Sequence, residues 1–132
     1  MSAVSRRSRV AALALVLTPL TLGACGSDEA GDGQSTAART IEITASEYEF
    51  NGGPGVIEPG DTIEFAVENV GQIDHSLEVL SSTGSSLGRT ERIVPGASDA
   101  VTVTFDEAGV YRLICDVDDH LSRGQTASIT VG

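Results

Sequence analysis

Tyr111-Arg112-Leu113-Ile114-Cys115-Asp116-Val117-Asp118-Asp119-His120-Leu121-Ser122-Arg123-Gly124-Gln125 is the stretch on which the fold turns. Its first five residues alternate, with Tyr111, Leu113 and Cys115 on one face, as in a strand with one side buried. The strand ends on its cysteine. A polar loop with a histidine follows, then Gly-Gln, and Thr126 to Val131 reads as a closing strand. Cys115, His120 and Gln125 are spaced five residues apart, so one turning loop can aim three donor atoms at a point. His75, in Asp74-His75-Ser76, is the chain's other histidine and lies forty residues before the cysteine.

Upstream of this stretch the same alternation recurs. Ile41, Ile43 and Ala45 form one set, Ile63, Phe65 and Val67 a second, and Val101, Val103 and Phe105 a third. Leu77, Val79 and Leu80 give a short strand just after His75, and Ile129 and Val131 close the series. Turn signals separate them: Asn51-Gly52-Gly53-Pro54-Gly55, Glu58-Pro59-Gly60-Asp61, Asn69-Val70-Gly71, Val94-Pro95-Gly96 and Asp106-Glu107-Ala108-Gly109. Ser81 to Gly88 is polar and Gly/Ser-rich, and reads as loop. No useful helical period appears. Short strands at regular spacing between Gly/Pro turns predict an all-β antiparallel sandwich or barrel over 40–132, long enough for one core.

The beginning of the chain has a different character. Arg6, Arg7 and Arg9 precede an apolar run from Val10 to Leu22, followed by Leu22-Gly23-Ala24-Cys25. A basic start, a short apolar core and small residues at a cut site are the layout of an export signal. The run is too short and interrupted for a spanning helix, which needs roughly 20 apolar residues. Leu-Gly-Ala-Cys resembles the lipobox of bacterial lipoproteins, in which the cysteine is acylated and becomes the first mature residue. This divides the chain into a signal peptide (1–24), a lipidated Cys25 with a Gly/Ser/acid-rich spacer (25–39) and a folded domain (40–132). The expected location is the outer face of the cell membrane. Ser5-Arg6-Arg7 also hints at the twin-arginine route, although Ser8-Arg9 departs from it and general secretion fits better.

The cysteine and charge counts narrow the function. A Cys25–Cys115 disulfide is the simplest use of two cysteines in an exported protein. Acylation of Cys25 forbids it and leaves Cys115 a lone thiol in an oxidising compartment, where metal ligation would protect it. Without residues 1–24, five arginines and no lysine face nineteen carboxylates, a net charge of about −14. Nucleic acid is then a poor partner and a basic protein an attractive one. No Ser-His-Asp order, phosphate-binding Gly loop or paired-carboxylate motif offers a catalytic alternative.

One thiolate and two imidazoles suit copper and reject magnesium or calcium. With a weak fourth donor such as Met or Gln they make an electron-transfer copper site. Zinc is a rival, since one Cys, two His and one oxygen can surround it as a tetrahedron. Taken singly, Cys115 would be a small buried hydrophobe and each histidine an ordinary hydrogen-bonded residue. Their joint spacing is what points to a metal.

The domain resembles the cupredoxin, or blue copper, family over nearly all of 40–132. The resemblance lies in Glu58-Pro59-Gly60-Asp61-Thr62 and the strand after it, and in Asn69-x-Gly71 ahead of His75-Ser76-Leu77-x-Val79. It continues in Val94-Pro95-Gly96 and in Gly109-x-Tyr111-x-Leu113-x-Cys115-x₄-His120-x₄-Gln125, running on to Ile129-x-Val131. It implies a Greek-key β-sandwich with one copper at its end, His75, Cys115 and His120 as equatorial ligands, and Gln125 as the axial one. Most small bacterial members have Met at that last place, whereas stellacyanin-like plant members have Gln. The loop that often reads Pro-Gly before the histidine is Asp118-Asp119 here. With Asp116 these acids read by default as solvated loop residues.

With the lipobox-like anchor, the leading expectation for function is a lipid-tethered, monomeric carrier shuttling one electron between exported proteins; the resemblance implies a route through an exposed edge of His120 with Leu121 beside it. A copper carrier or storage module is the alternative from another class. A cupredoxin fold that has lost its metal is a third possibility. An oxidase or nitrite reductase fares badly, because such catalysts need further imidazoles and domains.

Overall fold

The computed structural model describes residues 38–132. The expected signal peptide, Cys25 and all but the last residues of the spacer lie outside them.

The described residues are all-β. The strands are β1 (Arg39–Ser46), β2 (Glu49–Asn51), β3 (Asp61–Asn69), β4 (Glu78–Leu80), β5 (Ser86–Arg89), β6 (Ser98–Phe105), β7 (Gly109–Ile114) and β8 (Thr126–Val131). They form two four-stranded sheets, ordered β2-β1-β3-β6 and β5-β4-β7-β8. Their inward faces share one core, in which Ile43, Phe65, Val67 and Val103 of the first sheet meet Val79, Leu113, Ile129 and Val131 of the second. The alternation read from the sequence holds strand by strand: Ile41, Ile43 and Ala45, then Ile63, Phe65 and Val67, then Val101, Val103 and Phe105 are all buried. Phe105 links its neighbours edge to face, 6.3 Å from Phe65 and 4.9 Å from Tyr111 between ring centroids. The Tyr111 hydroxyl leaves this apolar cluster to donate to the Glu107 carbonyl at 2.8 Å.

Three details depart from expectation. β1 and β3 pair in parallel, with Ile41 opposite Phe65, so the sandwich is mixed rather than purely antiparallel. Alternation identifies the buried face of a strand and says nothing of its neighbour. Ser86–Arg89, whose first three residues fall in the expected Ser81–Gly88 loop, is an edge strand on β4 with a register shift at Val79/Leu80. Leu87 there faces solvent, so no inward period marks the segment. Finally, β2 is a three-residue return from β1, and Glu47-Tyr48 turn the chain between the paired Ser46 and Glu49. That turn lies over the chemically important end of the sandwich.

Candidate metal centre

Three elements deliver the candidate donors. β7 carries the chain to Cys115, which is 0% exposed at the strand's end. The loop from Cys115 to Gln125 closes on itself: the Gln125 N–H donates to the His120 carbonyl at 3.0 Å, and the Cys115 N–H donates to the Gln125 carbonyl at 3.2 Å. Gly124, at φ 103°, makes the left-handed turn that this closure needs. Asp118, at φ 45°, occupies the same region, which short polar side chains tolerate better than most. His75 arrives from between β3 and β4, pinned to Ile93 by reciprocal backbone hydrogen bonds of 3.0 and 2.7 Å.

The loop before His75 is organised by Asn69, which is 0% exposed. Its side chain donates to the carbonyls of Ile73 and Ile93, both at 2.8 Å, and accepts from the Gly71 N–H at 2.9 Å. One amide thus fixes three backbone groups of the His75 approach.

His75, Cys115 and His120 come together, each buried, with one donor atom apiece lying within 4.8 Å of the others. His120 Nδ1 is 3.5 Å from Cys115 Sγ. Gln125, also 0% exposed, places Oε1 2.9 Å from His75 Nδ1. Its amide nitrogen reaches the carbonyls of Ser46 at 3.2 Å and Glu49 at 3.4 Å, which turns the oxygen toward the cluster. All four residues singled out in the sequence therefore meet at one end of the sandwich.

Does this arrangement fit a metal ion? With bonds of about 2.0 Å to nitrogen and 2.3 Å to sulfur, two donors on one tetrahedral ion sit about 3.5 Å apart. The sulfur–nitrogen separation matches that spacing. A soft sulfur, two ring nitrogens and one amide oxygen, all withdrawn from water, fit a single copper ion. Cys115 is a free thiol. Its sulfur accepts from the Ser76 N–H at 3.4 Å, a donor that draws charge from a thiolate and so bears on the redox balance of a bound metal. The Ser76 hydroxyl donates to Asp116, whose own N–H donates back to Ser76 Oγ at 3.1 Å. The His75 and Cys115 loops are thereby stitched together beside the site.

The Cupredoxin-like domain family model matches residues 11–129. The chain belongs to this family. Auracyanin from Roseiflexus castenholzii superposes on this cupredoxin with a TM-score of 0.62 at 20% identity, over 73% of this chain and 99% of that one. Auracyanin A, described as a "blue" copper protein from Chloroflexus aurantiacus, superposes with 0.62 at 17% identity, over 73% and 100%. Among curated proteins, the copper-resistant cuproprotein CopI of Rubrivivax gelatinosus is 24% identical over 112 residues, covering 72% of this chain and 67% of its own. The family and the His75–Cys115–His120 cluster are consistent with one mononuclear copper site.

One expectation about the surroundings needs correction. The edge of His120 is not open to solvent, because the residue is only 4% exposed. Tyr48 sets its ring edge to face against His120, 5.0 Å between centroids, and the Arg123 guanidinium lies 4.9 Å over the Tyr48 ring. Leu121 is exposed, as expected. The loop acids are exposed, as expected, and each also has an arginine nearby. Asp116 meets Arg89 at 2.9 Å, Asp118 meets Arg92 at 4.0 Å, and Asp119 meets Arg123 at 2.7 Å. The hydrogen bond and charge of Asp119 raise the Arg123 guanidinium above its ordinary range. Arg92 lies nearer Asp74, at 3.6 Å, than Asp118, and all three pairs are at least partly exposed to solvent.

Sequence reasoning missed the β1–β2 turn altogether. Ser46 and Glu49 orient Gln125, Tyr48 covers His120, and a carboxylate oxygen of Glu47 lies 3.7 Å from His75 Nε2. Nothing local in Ser46-Glu47-Tyr48-Glu49 marks it as part of a site some thirty to eighty residues away along the chain.

Proposed function

We propose that this cupredoxin carries single electrons between exported protein partners, with one copper ion held by His75, Cys115, His120 and Gln125. The observation that carries the reading is the convergence of a buried thiol, two buried imidazoles and an inward-turned amide oxygen at one end of a rigid sandwich. A bound copper ion supplies a one-electron couple between Cu(II) and Cu(I). The protein's part is to keep the donors in place through both states. The closed Cys115–Gln125 loop, the Ile93 clasp on His75 and the Asn69 node all oppose movement of the ligands. Water is kept out by burial of every donor.

The remainder of the reading rests on sequence. A lipid on Cys25 would tether the domain to the outer face of the cell membrane, with residues 26–39 as a spacer. The acidic surface favours a basic-faced redox partner through faster encounter. The carrier works as a monomer and catalyses no reaction of its own.

Gln125 is the expected source of a low reduction potential. An amide oxygen is a harder donor than a thioether and favours Cu(II). Gln125→Met should therefore raise the potential of the copper-loaded protein in direct electrochemistry; an unchanged or lowered potential would remove Gln125 from the ligand set.

A relative named as a copper-resistant cuproprotein favours a second reading, in which the same site delivers or stores copper. The two differ in exchange behaviour. Fast electron self-exchange with tight metal retention against a chelator supports the carrier. Ready loss of copper at fixed oxidation state, with slow self-exchange, supports delivery.

A further inference from the structure

His75 presents one ring nitrogen to the cluster and the other to the β1–β2 turn. Nδ1 lies 2.9 Å from Gln125 Oε1, on the side of the ring away from Glu47. Nε2, on the opposite edge, is the one buried side-chain nitrogen or oxygen without a hydrogen-bond partner among the described residues. An imidazole that gives Nδ1 to a metal must keep its proton on Nε2. That N–H is then buried and needs an acceptor, since an unpaired buried donor is destabilising.

Glu47 Oε1, 3.7 Å away, is the charged group facing it. The carboxylate is held from the other side by the 71–73 loop, accepting from the backbone N–H groups of Gln72 and Ile73, the latter at 3.0 Å. Gly71 lies against it so closely that a Cβ there would meet Oε1 at 2.6 Å. Backbone hydrogen bonds, from Gln72 first and then from Glu47 itself and Ile73, hold the Glu47 carboxyl below its ordinary range. The group is thus an anchored anion on the very loop that leads into His75.

We propose that Glu47 is a positioning residue for the copper centre, accepting the His75 Nε2–H and so fixing the ring's tautomer, orientation and donor strength. This rests on the copper reading above and extends it to a residue outside the ligand set. Metal-bound histidines commonly donate their second N–H to a carboxylate, which makes the imidazole a stronger donor, and losing such a partner typically costs about 10–100-fold in metal affinity. Because a stronger, more anionic donor environment favours the higher charge, the loss falls more on Cu(II) than on Cu(I).

Glu47→Gln separates this role from a structural one. The amide oxygen can still accept from Gln72 and Ile73, so the metal-free protein should melt near the wild-type temperature, while the negative charge facing His75 is gone. The expected result is a loss of Cu(II) affinity of about tenfold or more relative to Cu(I), equivalent to a rise in reduction potential of about 59 mV per tenfold. Glu47→Ala, which removes the acceptor as well as the charge, should show a larger shift together with a lower melting temperature. In the wild-type Cu(I) protein, which is diamagnetic, nitrogen-15 NMR should find the His75 proton on Nε2 and protected from exchange. A Glu47→Gln protein with wild-type potential and Cu(II) affinity, or a rapidly exchanging His75 Nε2–H, overturns the inference while leaving the copper site intact. Failure of the wild-type protein to bind Cu(II) through Cys115 overturns the copper reading and this inference with it.

Discussion

Replacing Cys115 with serine is expected to abolish the intense visible absorption of the Cu(II)-loaded protein while leaving a folded domain. That absorption comes from charge transfer between a thiolate and Cu(II), and a serine hydroxyl offers no equivalent soft, easily oxidised donor. The substitution is small in volume. Its new hydroxyl meets the Ser76 N–H that now reaches Cys115 Sγ, so the polar atom is not left orphaned in the buried position. Absorption spectra of the loaded variant and melting curves of both metal-free proteins read the two effects separately. Retention of the band in Cys115→Ser would mean that the sulfur is not a ligand.

Asn69→Ala should cause the largest loss of stability among single changes near the site. The side chain is wholly buried and makes three hydrogen bonds, to Ile73, Ile93 and Gly71. The Ile93 carbonyl keeps the His75 N–H as a partner, but the Gly71 N–H loses the Asn69 side chain as its acceptor. An unsatisfied buried backbone group costs about 1–3 kcal/mol, and the cavity left by the lost atoms adds to it. A total of about 3 kcal/mol would lower the melting temperature by roughly 10–25 °C in a domain of this size. Because the loosened loop is the one that carries His75, copper affinity should fall as well. Thermal melting by circular dichroism checks the first effect, and competition with a chelator checks the second. A variant that melts at the wild-type temperature would show that the Asn69 network is dispensable.

Much of this architecture is legible in the amino-acid sequence, and the reasons differ by element. β1, β3, β6, β7 and β8 each bury one face against the common core, so period-two alternation marks them. β2 is too short to display a period, and β5 turns Leu87 outward on an edge, so neither carries a signal. The parallel pairing of β1 with β3 is a matter of which strands become neighbours, and the pattern along one strand contains no such information.

The site divides in the same way. Cys115, His120 and Gln125 lie on one short loop at regular spacing, and donor chemistry makes His75 their natural companion. The β1–β2 turn acts on them only through tertiary contact. Ser46, Glu47, Tyr48 and Glu49 look like an ordinary polar turn until the sandwich folds and lays them over His75, His120 and Gln125. The same contact explains why His120 is covered: Tyr48 and Arg123 supply a lid that the spacing of ligands along the chain does not encode. Asp116 and Asp118 likewise read as free acids because Arg89 and Arg92 approach from another part of the chain. Only the Asp119–Arg123 pair, four residues apart, is local enough to show in the sequence itself.

X-ray absorption at the copper edge of the wild-type protein, loaded with one equivalent of Cu(II), examines the ligand set itself. One short sulfur scatterer together with two imidazole nitrogens is the predicted inner sphere. A shell of nitrogen and oxygen alone, with no sulfur, would contradict it.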